Sequence, residues 1–421
     1  MPTKVGLLCY QFLWCLAIPF LKRNKRLAQG FSQRILQNRP GPADLWIQSA
    51  SVGESFLALE IMKNLCPPQP VRVLLTTTTS QGIEILEKGR QDIGQQQNIT
   101  IETAYFPFDH PSLMAEALTT ITPRLLILLE SELWPGLLFG CRKNKIDVLV
   151  INGRMTARSL ARYLLWPSFW HDLRPTRILA MSPEDAGRFG ELFGPDVVEE
   201  MANIKFDRIA DVVPSVGHHN PLAPLLPTGA PFIVLGSVRQ EEEEDVFHIV
   251  EEIQKRRNDA VIGLFPRHMH RLDFWRRRLE KHFLPWQLRS TISAGVQPGQ
   301  IIVWDVMGEL TAAYELAAAA FVGGSLAPLG GQNFLEPLSS GVRPVIGPSW
   351  FNFTWIGQSI FEQDLVRQEA DWQGVARSLL DSAAQPADRQ TTIKAISTYL
   401  ARRRGGTRHA CAAITTFLFP S

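Results

Sequence analysis

Two series of short apolar runs, each run followed by a segment long enough for a helix, constrain the fold of this chain most. The first series consists of residues 45–50 (LWIQSA), 71–76 (VRVLLT), 125–130 (LLILLE), 148–152 (VLVIN) and 177–181 (RILAM). The second consists of residues 231–236 (PFIVLG), 260–265 (AVIGLF), 301–304 (IIVW), 319–323 (AAFVG) and 343–347 (RPVIG). Continuous apolar strands that alternate with helices indicate parallel sheets covered on both faces. The sequence therefore predicts an α/β protein with two doubly wound domains that face each other across a cleft.

The segments outside the two series suggest a linker and a helical end. Residues 207–231 are rich in proline and lack clear periodicity, which is typical of a linker between domains. Past Asp371 the pattern predicts helix to about Arg404. Gly405 and Gly406 are expected to break this helix before a final short one.

Composition excludes several classes of protein. A length of 421 residues predicts about two or three domains, and 45% hydrophobic with 20% charged residues is typical of a folded chain. A net charge of +2 leaves no basic excess for binding nucleic acid. The five cysteines include no C-x-x-C pair, which indicates a reducing compartment and gives no zinc signature.

The first apolar segment predicts contact with a membrane. Residues 5–21 are apolar almost throughout, and Lys22, Arg23, Lys25 and Arg26 follow directly. Seventeen residues are at the short limit for crossing a bilayer, so a spanning helix and a helix lying in the interface both remain open. The basic residues follow the apolar run and no small-residue cleavage site comes after it, which disfavours a cleaved signal peptide. A helix buried against the first domain is the less favoured alternative.

Polar motifs follow the strands of the first series, where parallel sheets bind ligands. Glu54 lies at a strand-to-helix turn, where the helix dipole is expected to favour the ionised form of a general base. The alternative is a glutamate that only stabilises the helix start. Glu130 and Glu132 end a very apolar strand, which favours a functional interpretation of both carboxylates. Lys205 is either a cation for a phosphate or carboxylate or an ordinary surface lysine.

The glycine-rich stretch of residues 321–347 suggests a phosphate site in the second series. Its glycine pairs, at 323–324 and 330–331, let a backbone approach a ligand closely. A helix predicted to start near Asn333 would present free N–H groups to a phosphate, with Glu336 placed for a ribose hydroxyl. A plain glycine-rich connection between a strand and a helix is the alternative, since glycine spacing alone is a weak motif.

Other strand ends of the second series add further candidates. Arg267 follows Pro266 at a strand end, where a guanidinium suits bidentate phosphate contact. Residues 305–309 follow the strand 301–304 and are expected to face the cleft. His268 and His270 lack an obvious third ligand, so no metal site is predicted there. The acidic residues 241–245 are interpreted as the first turns of a helix.

Nine segments, in order along nearly the whole chain, resemble the 3-deoxy-D-manno-octulosonic acid (Kdo) transferase family of lipopolysaccharide biosynthesis. They are SASVGE (49–54), ESELWP (130–135), NGRMTARS (152–159), IKFD (204–207), FPRH (265–268), MGEL (307–310), FVGGSL (321–326), GGQNFLEP (330–337) and GPSWFNF (347–353). Each segment alone is a weak signal, and nine in the family's order are a strong one.

The resemblance implies a GT-B fold with two Rossmann-like domains around a central cleft and an N-terminal membrane-associated helix. It implies an inverting transfer of Kdo from CMP-Kdo to lipid IVA, a lipid A precursor, at the cytoplasmic side of the cell inner membrane. The implied domains are a membrane anchor segment (1–26), an acceptor-binding domain (27–206), a linker (207–230), a CMP-sugar-binding domain (231–396) and a C-terminal helical tail (397–421).

The resemblance also implies roles for individual residues. Glu54 would be the general base, and Glu130 and Lys205 would assist the transition state. The residues implied to hold CMP are Pro266, Arg267, Met307, Gly308, Glu309, Asn333, Phe334, Leu335 and Glu336. No metal, no cofactor besides the donor substrate and no nucleic acid are implied as partners.

Some positions depart from the family's usual pattern, and some alternatives remain open. Gln48 and residues 238–239 stand where histidine is common, Phe334 stands where proline is common, and residues 202–203 replace a Gly-Ser pair. A GT-B transferase with another nucleotide sugar and a non-catalytic lipid-binding scaffold are the competing interpretations. The presence of Glu54 and Arg267 favours an enzyme over the scaffold. The motifs leave open how many Kdo residues are transferred and how many chains assemble.

Overall fold

The computed structural model describes residues 2–93, 98–209 and 220–420. The chain forms two compact units: unit 1 is Met1–Ala210 with Arg403–Ser421, and unit 2 is Asp211–Arg402. Residues 210–219 of the predicted linker lie outside the described residues. The domain bounds implied by the resemblance stay predictions.

Unit 1 is built on a parallel sheet of seven strands with the order β3-β2-β1-β4-β5-β6-β7. Its strands are β1 (Leu45–Ser49), β2 (Val71–Thr77), β3 (Ile99–Tyr105), β4 (Leu125–Leu129), β5 (Asp147–Gly153), β6 (Arg177–Ala180) and β7 (Val198–Glu200). Trp46 packs into the hydrophobic core on one face, whereas Leu45 and Ile47 pack into the core on the other. A strand buried on both faces must be apolar at every position, which explains the continuous runs in the sequence.

The helices of unit 1 cover both faces of this sheet. They are α1 (Pro2–Leu21), α2 (Lys25–Ala28), α3 (Phe31–Arg34), α4 (Val52–Asn64), α5 (Ser80–Ile93), α6 (Pro111–Ile121), α7 (Pro135–Asn144), α8 (Ala157–Tyr163), α9 (Pro167–Asp172) and α10 (Pro183–Phe193).

Unit 2 has a second parallel sheet, with the order β10-β11-β9-β8-β12-β13-β14. Its strands are β8 (Phe232–Val238), β9 (Val261–Pro266), β10 (Trp286–Leu288), β11 (Ile301–Val303), β12 (Ala319–Val322), β13 (Pro344–Ile346) and β14 (Arg367–Gln368). Its helices are α11 (Glu243–Arg256), α12 (Leu272–Lys281), α13 (Leu310–Leu316), α14 (Leu335–Ser339), α15 (Ser359–Glu362), α16 (Trp372–Ala384) and α17 (Arg389–Ala401).

The last helix, α18 (Gly406–Leu418), belongs to unit 1. Ala410, Ile414 and Leu418 are spaced four residues apart and join the core on the side of Leu45 and Ile47. Asp207 holds the start of α18, because its carboxylate accepts hydrogen bonds from the N–H groups of Gly405 (2.7 Å) and Thr407 (2.6 Å).

The ten predicted strands are all confirmed, and the predicted helix from Asp371 to Arg404 is wrong in one respect. It is two helices, α16 and α17, separated by residues 385–388. Pro386 lies in this break, where its ring and missing N–H prevent a continuous helix.

Helix α1 packs on unit 1 with one face and exposes an apolar face on the other side. Leu7 is buried, and the ring of Trp14 lies 5.6 Å from that of Phe108. More than half of each side chain on the other face is exposed: Leu8, Phe12, Leu13, Leu16 and Phe20. Among the helices of the described residues, none is both long enough and apolar enough to cross a membrane.

Candidate functional site

Three glutamates lie just beyond the C-terminal ends of two neighbouring strands in the unit 1 sheet. β1 and β4 are parallel neighbours, so the segments that follow them leave the sheet side by side. Glu54 lies in the first turn of α4 after β1, and Glu130 and Glu132 follow β4. We call these three residues the acidic cluster. The negative charges of Glu132 and Glu130 both raise the pKa of Glu54, which shows that the three carboxylates interact.

Glu54 is buried, with 7% of its surface exposed, and its carboxylate is held by two hydrogen bonds. The N–H of Ala50 donates to Oε2 (2.6 Å), and the Ser51 hydroxyl donates to Oε1 (3.0 Å). Ser51 in turn caps α4 by accepting a hydrogen bond from the N–H of Glu54 (3.3 Å). Glu54 therefore does stabilise the helix start, as the alternative interpretation proposed.

Glu54 is not held in its ionised form, although the helix dipole is expected to favour that form. Burial is the largest effect and raises the pKa of Glu54 to about 8, with the Glu132 charge acting in the same direction. The hydrogen bonds from Ala50 and Ser51 favour the carboxylate but do not offset this. Glu54 is thus a carboxyl group that takes up and releases a proton near neutral pH, which suits proton transfer.

Glu130 and Lys205 form an ion pair at the same C-terminal end of the strands. The Lys205 ammonium lies 2.6 Å from Glu130 Oε1, and both side chains are mostly buried. Asn152, at the end of β5, fixes the segment of Lys205 because its Oδ1 accepts a hydrogen bond from the N–H of Ile204 (2.9 Å). Lys205 is therefore not an ordinary surface lysine: the structure pairs it with one of the two carboxylates that follow β4.

Glu132 is a member of the acidic cluster to which the resemblance gave no role. The Trp134 indole donates a hydrogen bond to Glu132 Oε2 (2.7 Å). Burial raises the pKa of Glu132, while hydrogen bonds from Trp134 and Gln48 oppose this rise. Gln48 is fully buried and accepts a hydrogen bond from the Thr76 hydroxyl (2.6 Å). The residue that replaces the family's common histidine thus contacts the acidic cluster directly, through an amide that does not titrate.

In unit 2, the segments after β9 and β11 line one cavity of about 80 Å³. Pro266, Arg267, Met307 and Gly308 all contribute to its wall. Phe265 and Trp304 also line it, and their rings stack at 4.2 Å. The structure therefore brings four of the predicted CMP-binding residues together around an aromatic pair.

The Glu309 carboxylate has its own partners within unit 2. The Arg289 guanidinium donates two hydrogen bonds to it, at 2.9 and 3.0 Å. The Trp304 indole donates a third, at 2.8 Å to Oε2. Glu309 therefore fixes Trp304 and the loop beside the cavity.

Asn333 organises the start of α14. Its Oδ1 accepts a hydrogen bond from the N–H of Leu335 (3.2 Å), and its amide donates to Glu336 Oε1 (3.0 Å). Phe334 is fully buried, so this predicted binding residue supports the segment from inside. The predicted short helix near Asn333 is confirmed and runs from Leu335 to Ser339.

Part of the glycine-rich stretch binds a carboxylate of the protein itself. Glu242 accepts hydrogen bonds from the N–H groups of Gly324 (2.5 Å), Ser325 (3.1 Å) and Leu326 (3.2 Å). A Cβ at Gly323 would lie only 2.5 Å from the Ser237 carbonyl oxygen, so the close approach requires glycine. These three N–H groups are occupied, and the interpretation of residues 241–245 as plain helix turns missed this role of Glu242.

No group of three or more His, Cys, Asp or Glu side chains that could hold a metal ion occurs among the described residues. His268 and His270 stack on each other, with their ring centres 5.5 Å apart.

Comparisons with known proteins point to the same family as the nine sequence segments. A family model described as 3-Deoxy-D-manno-octulosonic-acid transferase (kdotransferase) matches residues 23–208. A 3-deoxy-D-manno-octulosonic acid transferase of Bordetella pertussis is 31% identical over 396 residues, which are 90% of this chain and 88% of that protein. The corresponding protein of Haemophilus influenzae is 27% identical over 372 residues, covering 86% of this chain and 84% of the relative.

Among solved structures, a glycosyltransferase from Rickettsia africae has a TM-score of 0.56 and 10% sequence identity. The likeness covers 91% of this chain and all of that one. At this identity it shows a common fold alone: two parallel-sheet α/β units of the GT-B type.

Proposed function

The chain belongs to the 3-deoxy-D-manno-octulosonic acid (Kdo) transferase family, and we propose that it moves Kdo from CMP-Kdo to the lipid A precursor lipid IVA with inversion. The observation that carries this proposal is the acidic cluster at the C-terminal ends of the strands in unit 1. There a buried glutamate with a pKa of about 8 and the glutamate of a Lys–Glu ion pair follow neighbouring strands. This combination supplies a base and a cation where a sugar hydroxyl must lose a proton.

In the proposed mechanism, Glu54 acts as the general base. Its carboxylate takes the proton of the acceptor hydroxyl while the hydroxyl oxygen forms a bond to the anomeric carbon of Kdo. The bond from that carbon to the CMP phosphate oxygen breaks, and its electron pair leaves with CMP. Because the pKa of Glu54 is about 8, the group is basic enough to accept the proton, and about a tenth of it is ionised at pH 7, rising to about half at pH 8.

Lys205 and Glu130 are proposed to assist the same step. The ammonium of Lys205 places a positive charge where negative charge develops in the transition state. Glu130 lies 2.6 Å from it and fixes its direction. The ion pair thereby supports the reacting groups without itself exchanging a proton.

Unit 2 is proposed to hold the CMP part of the donor. Arg267 would contact the phosphate, and the cavity lined by Pro266, Met307 and Gly308 would receive part of the nucleotide. Asn333 and Glu336 at the start of α14 would meet the phosphate and the ribose. Phe334, Leu335 and Glu309 would shape this site from behind. The proposal needs no metal and no further cofactor.

Helix α1 is proposed to lie in the interface of the inner membrane, on its cytoplasmic side. Its exposed apolar face ends next to Lys22, Arg23 and Arg26, whose exposed side chains suit anionic lipid headgroups. Replacing Phe12 and Leu16 together by serine should weaken binding to anionic vesicles by roughly tenfold or more, because two apolar side chains no longer enter the lipid. Phe283→Ser is the matched control, since Phe283 is an exposed phenylalanine of unit 2. Equal vesicle binding by all three proteins would contradict this placement.

Transfer from CMP-Kdo to lipid IVA, followed by mass spectrometry of the products, tests the proposed function. A mass increase of one or more Kdo units supports it and counts the sugars transferred. A UDP-sugar offered in parallel serves as the competing donor. Folded protein that transfers only from the UDP-sugar, or from neither donor, would contradict the proposal.

A further inference from the structure

Asp109 is a carboxylate with 1% of its surface exposed, and it joins three elements of unit 1. It lies in the loop before α6, and its Oδ2 accepts a hydrogen bond from the Tyr10 hydroxyl of α1 (2.9 Å). The N–H of Gly136 also donates to Oδ2 (2.8 Å), and the N–H of Leu137 donates to Oδ1 (2.8 Å). Burial raises the pKa of Asp109 to about 7, although all three donors favour the carboxylate. A group this costly to bury is expected to have a specific structural task.

On one side, Asp109 holds the first turn of α7. Both α7 donors lie directly after Pro135, at the helix end where N–H groups have no partner within the helix. A Cβ at Gly136 would lie 2.6 Å from the Asp109 carbonyl oxygen, so the loop and the helix start are in close contact. The residue before this turn, Trp134, donates its indole hydrogen bond to Glu132. The position of α7 is therefore connected to the acidic cluster through a single residue.

On the other side, the loop that contains Asp109 contacts α1. Besides the Tyr10 hydrogen bond, Cys15 Sγ lies 3.3 Å from His110 Nε2. Trp14 packs on Phe108, the residue before Asp109. Tyr10 and Trp14 are half-buried by these contacts and Cys15 stays exposed, while the apolar face of α1 is exposed. The loop that holds α7 is thus in direct contact with α1.

We propose that Asp109 is a positioning residue. It couples the binding of α1 to a lipid surface to the position of the loop from Glu130 to Trp134. This rests on the proposed function, in which α1 lies on the membrane and the acidic cluster performs proton transfer. When the protein is bound to the membrane, the lipid surface fixes α1, and Tyr10 then holds Asp109 against the N-terminus of α7. Without the lipid surface α1 is held less firmly, and the acidic cluster is less well ordered.

Amide hydrogen exchange of the peptide covering residues 130–137 tests the coupling without using activity. In the wild-type protein, anionic vesicles are expected to slow exchange of the Gly136 and Leu137 amides several-fold. Tyr10→Phe keeps the ring and removes only the hydroxyl, and it is expected to abolish this slowing. Tyr105→Phe, the same change on β3, is the control and should behave as the wild type. Equal slowing in the Tyr10 variant, or no slowing in the wild type, would overturn the proposal.

Steady-state kinetics adds a second readout for an active enzyme. With lipid IVA in vesicles, Tyr10→Phe should lower kcat about fivefold, since one hydrogen bond to a buried carboxylate is lost, while KM for CMP-Kdo stays unchanged. Asp109→Asn should lower kcat more. An unchanged kcat in both variants would overturn the coupling. An inactive wild-type protein would instead count against the proposed function, and the exchange result would still judge the coupling.

Discussion

Both units have buried or half-buried glutamates beyond the ends of their strands, but the partners of these carboxylates differ. In unit 2, Glu242 accepts hydrogen bonds from backbone N–H groups of residues 324–326, and Glu309 is held by Arg289 and Trp304. In unit 1, Glu54 and Glu132 lie near each other, and burial together with mutual repulsion raises the pKa of Glu54. Burial also raises the pKa of Glu242, but four backbone N–H groups oppose that rise, whereas the neighbouring carboxylates of unit 1 add to the rise at Glu54. The comparison supports the proposal that unit 1 carries out proton transfer and that unit 2 holds the donor.

Glu54→Gln should have the largest effect on activity. Glutamine keeps one acceptor oxygen for the Ala50 N–H, and its NH2 group can donate to the Ser51 hydroxyl, so the fold should remain, but it cannot take a proton. The rate of Kdo transfer should fall by roughly 10²–10⁴-fold, the usual contribution of a general base. Glu87→Gln, an exposed glutamate on α5, is the control for the same chemical change. Near-normal transfer by the Glu54 variant would remove the reactive role that distinguishes unit 1.

Glu242→Ala should have the largest effect on stability. It leaves the N–H groups of Gly324, Ser325 and Leu326 without their acceptor in a buried loop. We expect a loss of about 2–4 kcal/mol in the free energy of unfolding, measured by urea denaturation. The neighbouring Glu241 is exposed, and Glu241→Ala should change the free energy little. Equal stability of the two variants would show that Glu242 does not stabilise the loop of residues 324–326.

Arg289→Lys should have a smaller effect, confined to the donor. Lysine cannot reproduce the two parallel hydrogen bonds to Glu309, so Trp304 and the cavity wall would be held less firmly. KM for CMP-Kdo should rise about three- to tenfold while kcat changes little. Arg276→Lys on the exposed side of α12 is the matched control. A fall in kcat with an unchanged KM would instead place Glu309 among the reacting groups.

The sequence predicts the interior of both sheets well and their edges poorly. The ten strands found from apolar runs are all interior strands, because burial on both faces requires apolar residues at every position. The four strands that were missed, β3, β7, β10 and β14, are the edge strands of the two sheets. Edge strands face solvent and are short or polar, as in the VEE of β7 and the RQ of β14, so no continuous run marks them.

In the candidate site, too, features set by neighbouring residues in the sequence could be predicted, whereas features set by distant residues could not. Glu54 and Glu130 could be found because each follows a recognisable strand, and parallel neighbouring strands bring their ends together. The acceptor role of Glu242 could not be found, since its partners are 82–84 residues away in the chain. The raised pKa of Glu54 also depends on burial and on Glu132, which a pattern around one residue does not contain.

The pH dependence of kcat/KM tests the central claim, that Glu54 is a base whose pKa is raised by its surroundings. A general base works only when deprotonated, so kcat/KM should rise with pH and level off above about 8, the pKa of Glu54 in the free enzyme. Glu132→Gln removes a negative charge that raises this pKa, so the same rise should move to lower pH. A profile that is flat through pH 8, or one that does not move in the Glu132 variant, would contradict the account.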